Sequence, residues 1–129
     1  QLVDQYLSIL SKSDEVHRSI IMFIVDCMIK HAADCFSHVS DLHFKQGVLP
    51  FIKRALTNID DADELLIKVL QWLSSLIEYR STLFKSTLTE WLPCILQFII
   101  TRLSTNSYLI YGENIVQLLE KIVEHFTPL

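Results

Sequence analysis

Apolar residues recur at helical spacing along almost the whole chain. Residues 2–10 carry them on one side, which predicts a short amphipathic helix. A longer helix is predicted over about residues 14–33, with Ser13 as a suitable hydroxyl cap at its start. Its central segment, IIMFIVDCMI, is apolar on nearly every side. Such a helix is buried between neighbouring helices instead of lying on a surface.

The same spacing predicts further helices in the rest of the chain, separated by short polar segments. Gly47 is expected to break the chain, and Pro50 and Pro93 to stand in the first turns of two helices, where proline is tolerated. The predicted elements are short helices at 34–39 and 41–45, helices at 48–58, 63–79, 89–103 and 112–126, a short polar helix or turn at 81–87, and a loop at 104–108.

Several of these segments resemble one another at a nearly regular interval. Leu49-Pro50 is matched by Leu92-Pro93, 43 residues later, and VLQWLSSLIEY is matched by IVQLLEKIVEH, 46 residues later. The helix predicted at 14–33 aligns with the one at 63–79 at an interval of 49 residues. Periods of 20–50 residues are typical of stacked repeats. The pattern therefore predicts one domain, residues 1–129, made of three units over roughly 1–33, 34–80 and 81–129.

The repeated segments resemble the armadillo repeat family. Gly47-Val48-Leu49-Pro50-Phe51 is similar to the start of that family's second helix, and Leu73-Ser74-Ser75-Leu76 and Leu119-Glu120-Lys121-Ile122 are similar to a signature of its third helix. The resemblance implies an all-α fold, a right-handed α-solenoid of about three armadillo/HEAT-like repeats. An ordinary helical bundle, whose helices align only because all are amphipathic, is the alternative fold.

The resemblance also implies a place for a partner, because third helices line the concave face of such solenoids. In peptide-binding members this face carries a ladder of Trp and Asn, which the present chain lacks, so recognition of basic peptides of the nuclear-import type is not expected. The positions implied as partner-binding are Met22, Asp26 and Lys30 in the first unit, Gln71, Ser75 and Glu78 in the second, and Gln117, Lys121 and Glu124 in the third. Stacking of the units would pair Gln71 with Gln117, Ser75 with Lys121 and Glu78 with Glu124.

The helix predicted at 63–79 has an apolar and a polar side. Its apolar stripe comprises Leu66, Val69, Leu70, Leu73, Leu76 and Ile77, and its polar stripe comprises Lys68, Gln71, Ser74, Ser75 and Glu78. Trp72 and Trp91 are expected to pack in the core or between units.

Composition narrows the class of protein further. Half of the 129 residues are apolar and only two are Gly and three Pro, too few breakers for a sheet protein or a disordered chain. The net charge of −4 makes nucleic acid an unlikely partner, because phosphate binding needs a basic excess. No apolar run reaches the ~20 residues of a membrane span. Since the chain starts without Met, we expect it to be part of a longer one.

The chain offers little that could carry chemistry. Cys27, His31, Cys35 and His38 are zinc-ligand types, and His43 could assist, but on one continuous helix the two cysteines lie ~12 Å apart, too far for one ion. We therefore expect no metal and no cofactor. There is no G-x-S-x-G motif and no glycine-rich phosphate loop, so we expect no catalytic residues and no enzyme. Three cysteines without disulfide spacing favour a reducing, intracellular location, either cytoplasmic or nuclear.

Three hypotheses about function remain at this point. The first is a non-enzymatic protein–protein interaction scaffold that binds a peptide or helix of a partner protein. The second is a compact helical adaptor that homodimerises through an exposed apolar end and has no peptide groove. The third, a helical repeat that binds nucleic acid, is disfavoured by the acidic charge balance.

Overall fold

The computed structural model describes residues 2–12, 17–58, 63–103 and 108–126, and every element in these ranges is helical, with no strand among them. The prediction of an all-α chain is thereby confirmed. The α-helices are α1 (Leu2–Leu10), α2 (Arg18–Lys30), α3 (Ala32–Phe36), α4 (Asp41–His43), α5 (Leu49–Asn58), α6 (Asp63–Ser86), α7 (Leu88–Leu103) and α8 (Tyr108–Phe126), and a π-helix (Phe44–Val48) joins α4 to α5.

Several helix boundaries differ from those predicted. The helix expected to reach residue 33 ends at Lys30, because His31 leaves helical geometry (φ −115°, ψ 42°) before α3 begins. The predicted cap, Ser13, lies outside the described residues, and at the start of α2 the His17 ring accepts a hydrogen bond from the Ser19 amide instead. The last helix begins at Tyr108, one turn early, because it runs through Gly112, and an interior glycine costs a helix only ~1 kcal/mol.

The predicted break at Gly47 is wrong, because helical backbone continues there in a wider π-helical form. The Leu49 amide donates to the Phe44 carbonyl, five residues back. In a regular α-helix the ring of Pro50 would clash with the carbonyl of Gln46, four residues back, and a π-turn placed just before Pro50 accommodates this. Gly47 allows α1 to approach closely, since a Cβ atom there would lie 3.3 Å from the Leu7 carbonyl oxygen.

Helical backbone also continues through Pro93 in α7 and through a kink in α6. Pro93 was expected in a first turn, but α7 already begins at Leu88, so Pro93 lies in its second turn. In α6 the backbone of Arg80 departs from helical geometry (φ −137°, ψ 47°). The polar segment predicted at 81–87 therefore continues α6 in a new direction as far as Ser86.

The helices contact one another in two sets, which we call the first and second rows. In the first row α2 packs against α6, and α6 packs most extensively against α8. In the second row α1 packs against the π-helix, and α5 packs against α7. Contacts of α1 with α2, of α5 and α7 with α6, and of α7 with α8 join the two rows.

The core between the rows is formed by the side of α6 that the sequence predicts. The predicted apolar stripe of this helix is buried throughout, and the stripe predicted as polar contains no buried residue. Trp72 and Trp91 are fully buried, which confirms their predicted packing role. The buried stripe comprises Leu66, Val69, Leu70, Leu73, Leu76 and Ile77.

The guanidinium group of Arg54 caps the C-terminal end of α1. Arg54 of α5 donates to the Leu10 carbonyl at 3.2 Å and, at a shorter distance, to the Ser11 carbonyl. The last carbonyls of a helix have no partner within the helix, and a cation placed there also interacts favourably with the helix dipole. Arg54 thus attaches α1 to α5 within the second row, by charged hydrogen bonds in a half-buried position.

Replacing Arg54 by Met should lower the free energy of unfolding by about 1–2 kcal/mol, because the carbonyls at the end of α1 lose a charged donor while the apolar stem remains. The effect should be concentrated in α1, where amide hydrogen exchange would become faster. Urea unfolding combined with exchange measurements checks this, and Lys45→Met, at an exposed site of the π-helix, is the control. Unchanged protection of α1 would contradict the assignment.

Candidate interaction surface

All nine residues implied as partner-binding lie on α2, α6 and α8, the three helices of the first row, and none of them is buried. We call this set the ladder surface. Within it, Met22, Asp26, Gln71, Ser75 and Lys121 are half-buried, and Lys30, Glu78, Gln117 and Glu124 are exposed.

Ionic contacts at Asp26 join α2 to α6. The Lys68 ammonium lies 3.0 Å from one Asp26 carboxylate oxygen, and the Lys30 ammonium lies 3.3 Å from the other. Hydrogen bonds from Lys68, and then from Lys30, hold the pKa of Asp26 below its usual value. The sequence placed Lys68 on the polar stripe of its helix, but it did not indicate that Lys68 bridges to the neighbouring helix.

A second ionic contact joins α6 to α8. The Lys121 ammonium lies 2.5 Å from a carboxylate oxygen of Glu78, and the ring nitrogen Nε2 of His125 lies 3.4 Å from the same oxygen. The hydrogen bond from Lys121 is the main reason that the pKa of Glu78 is lowered, and the same bond raises the pKa of Lys121. The ladder drawn from the sequence paired Lys121 with Ser75, whereas its ammonium group binds Glu78, about one turn further along α6.

His125 is a member of this cluster that sequence analysis missed. It follows Lys121 by four residues, so both side chains lie on the same side of α8 and reach Glu78 together. That spacing is the signal from which its position could have been inferred. The imidazole is half-buried, with 22% of the side chain exposed.

Glu78, Glu124 and His125 also form the one group in the described part of the chain whose three possible metal-ligating atoms lie within 4.8 Å of one another. The Lys121 ammonium lies beside it, 2.5 Å from Glu78 and 3.8 Å from Glu124. A divalent cation would have to displace this ammonium group or bear its repulsion. We therefore interpret the cluster as an ion-pair network that joins two helices.

The residues considered as zinc ligands, Cys27, His31, Cys35 and His38, do not all lie on one helix. Because α2 ends at Lys30 and α3 starts at Ala32, Cys27 and Cys35 do not lie on one continuous helix. Cys35 is buried, and this burial is the main reason that the pKa of its thiol is raised, which keeps the thiol protonated and unreactive.

Most aromatic pairs and the contact of His125 with Glu78 lie at various separations along the sequence. Five other long-range side-chain contacts, in contrast, all lie 42–44 residues apart. They involve ion pairs, hydrogen bonds to main-chain carbonyls and a buried indole, and they occur in both rows. The separation is 42 residues for Lys68 with Asp26, 43 for Arg54 with Ser11, Arg80 with Ser37 and Lys121 with Glu78, and 44 for Trp72 with Met28.

Comparison of the chain with protein-family models, curated proteins and solved structures finds no match. The armadillo family thus stays a resemblance carried by the motifs in this chain. No helix in the described ranges is long and apolar enough to cross a membrane.

Replacing Glu78 by Gln should lower the free energy of unfolding by about 0.5 kcal/mol at pH 7, a typical value for a solvent-accessible ion pair. Because the pKa of Glu78 is lower in the folded than in the unfolded protein, the carboxylate stabilises the fold above its unfolded pKa. This stabilisation disappears as the pH falls through the folded pKa. The variant and the wild type should therefore converge in stability as the pH is lowered through that folded pKa.

Urea unfolding at pH 7 and at acid pH measures this difference. Glu113→Gln is the matched control, since Glu113 is an exposed glutamate of the same α8 that Glu78 faces. Equal effects of the two substitutions at pH 7 would show that the cluster around Glu78 adds nothing to the contact of α6 with α8.

Proposed function

We propose that this chain is a non-enzymatic protein–protein interaction module, built as a right-handed α-solenoid of about three armadillo/HEAT-like repeats. The observation that carries the proposal is the separation of 42–44 residues that five long-range side-chain hydrogen bonds share. In a solenoid each unit contacts the next one, so corresponding positions meet at a separation close to the repeat length. Armadillo and HEAT repeats are ~40–47 residues long.

The two rows of helices support the same architecture. The first row consists of the helices proposed as third helices of their units, and the second row consists of those that precede them. A closed bundle has no reason to keep one separation for an ion pair, an indole contact and a helix cap alike. Stacked units bury each other's apolar faces, which explains why helices with so few polar sides remain stable.

We place the partner on the ladder surface of the first row. Two of its carboxylates are engaged in ion pairs, Asp26 with the neighbouring Lys68 and Glu78 with Lys121. Gln71, Ser75 and Gln117 remain as accessible amide and hydroxyl groups, which can each donate and accept hydrogen bonds. Groups of this kind suit the backbone of a peptide or helix better than they suit a strongly charged ligand. The proposed partner is therefore another protein, bound through one segment.

Selection of binders from a random peptide library displayed on phage tests this proposal. Peptides selected on the wild type should bind at least tenfold more weakly to the double variant Gln71→Arg/Gln117→Arg, because two long cations would block the surface. Gln97→Arg is the matched control, since Gln97 is an exposed glutamine on α7 in the second row. Peptides that bind all three proteins equally, or a library that yields no binder, would contradict the proposal.

A further inference from the structure

The side of α8 that faces away from α6 carries an apolar stripe in contact with solvent. Val116 and Val123 are 54% and 59% exposed, and Leu119 between them is half-buried. At 3.6 residues per turn, the two valines lie roughly 140–180° around the helix from Lys121 and His125, which contact α6. We call Val116, Leu119 and Val123 the end stripe, because α8 is the last helix of the first row.

In α6 the positions equivalent to the end stripe are fully buried. The interval of 46 residues that relates VLQWLSSLIEY to IVQLLEKIVEH gives these positions as Leu70, Leu73 and Ile77. Leu70 and Ile77 lie roughly 140–160° around α6 from Trp72, which contacts α2, so they are on the side of α6 turned away from α2 and toward α8. The end stripe therefore continues, one helix further along the row, the face through which α6 receives α8.

Glutamates border the end stripe on the side of the ladder surface. Glu113 and Glu120 are exposed and seven residues apart, so they lie on one line along α8, roughly 40–80° around the helix from the two valines. Neither forms an ion pair with another residue of the described ranges. Glu124 is different, since the Lys121 ammonium lies 3.8 Å from it. Two carboxylates without an ion pair thus flank the apolar surface.

The ionic contacts that join neighbouring helices of the first row have the same polarity. Asp26 of α2 accepts Lys68 of α6, and Glu78 of α6 accepts Lys121 of α8. In each pair the carboxylate belongs to the earlier helix, and the ammonium group belongs to the helix that packs against it next. A helix that packed against α8 in the same manner would present lysine or arginine to the glutamates beside the end stripe.

We propose that the end stripe binds an amphipathic helix of a partner protein. Aliphatic side chains of that helix cover Val116 and Val123, and a row of lysine or arginine residues along one border of its apolar face pairs with Glu113 and Glu120. Burial of the apolar side chains supplies the affinity, and the charge pairs fix the orientation of the bound helix. The end stripe is separate from the ladder surface, so binding here goes beyond the proposed function and does not require a ligand there.

Two synthetic helical peptides of about 18 residues test the proposal. Both carry an apolar stripe of Leu and Ala, which is bordered on one side by lysines in the first peptide and by glutamates in the second. In fluorescence anisotropy titrations up to about 1 mM, a range suited to a contact smaller than a standard interface, the wild type should bind the lysine-edged peptide at least tenfold more tightly. The variant Glu113→Lys/Glu120→Lys should show the opposite preference, because its charges are reversed.

Two control variants separate the end stripe from the rest of the surface. Asp34→Lys/Asp41→Lys has the same net charge as the reversed variant, but its exposed positions lie on α3 and α4, so it should keep the wild-type preference. Val116→Asp should weaken binding of the lysine-edged peptide at least tenfold, whereas Phe23→Asp, at a site of α2 that is 62% exposed, should not. Circular dichroism and thermal unfolding show whether each variant is folded.

Several outcomes would overturn the proposal. The wild type could bind both peptides equally, or bind neither up to about 1 mM. The reversed variant could keep the preference of the wild type, which would place the peptide elsewhere. Sedimentation analysis without peptide adds a further outcome, since self-association of the wild type that Val116→Asp abolishes would show that a second copy covers the end stripe instead of a partner helix.

Discussion

Replacing Trp91 by Ala is expected to lower the free energy of unfolding by about 4 kcal/mol, as found when large aromatic residues are removed from cores. The indole is fully buried on α7. Its ring meets Phe84 of α6 at 5.2 Å and Phe126 of α8 at 5.4 Å between centroids. Its N–H donates to the Phe84 carbonyl at 2.7 Å. One side chain thus joins α6, α7 and α8.

Urea unfolding followed by circular dichroism measures this effect. Trp91→Phe should cost about half as much, because the aromatic contacts are partly kept while the buried Phe84 carbonyl loses the indole donor and keeps only the Thr87 amide. Leu96→Ala, at a position of the same helix that is 43% exposed, should change stability by less than about 0.5 kcal/mol. If Trp91→Ala and Leu96→Ala cost the same, Trp91 does not join α7 to its neighbours.

Replacing Trp72 by Ala is expected to cost about 3–5 kcal/mol and to loosen the earlier half of the chain. Trp72 of α6 is fully buried, and its N–H lies 3.4 Å from the sulfur of Met28 on α2. Its ring packs edge-on against Phe51 of α5 at 5.3 Å and Phe36 of α3 at 6.3 Å. Removal opens a cavity between the two rows.

Amide hydrogen exchange shows which helices lose stability when Trp72 is replaced by Ala. Amides of α2 and α3 should lose more protection than those of α8. The ring contacts and the N–H contact of Trp72 are made with α2, α3 and α5. Ser75→Ala, one turn further along α6 and half-buried, provides the control. Uniform loss of protection across all helices would show that the units unfold as one body, and it would contradict a stack in which each unit depends on its neighbours.

The helices and their buried sides could be predicted because periodicity reports directly which side of a helix is apolar. The stripe on α6 from Leu66 to Ile77 is buried as the pattern indicates. The burial of Trp72 and Trp91 follows from the same argument. The segment after Tyr79 was expected to be separate, and the departure of Arg80 from helical geometry begins it at the expected place.

What could not be predicted depends on contacts between residues far apart in the sequence. Gly47 looked like a break because a glycine weakens a helix, whereas its role is set by the approach of Leu7 from α1. The partner of Lys121 depends on the longitudinal position of α8 along α6. A shift of one turn, 5.4 Å, exchanges Ser75 for Glu78, and no local pattern encodes that shift.

Zero-length cross-linking with a carbodiimide tests the stacking of units at intervals of about 43 residues most directly, because it joins only carboxylates and amines already in contact. We expect amide bonds between Lys68 and Asp26 and between Lys121 and Glu78, identified by mass spectrometry of the monomer. A main product joining Asp26 to Lys121 would bring α2 directly against α8, as in a closed bundle. That result would contradict the solenoid and the ladder surface built on it.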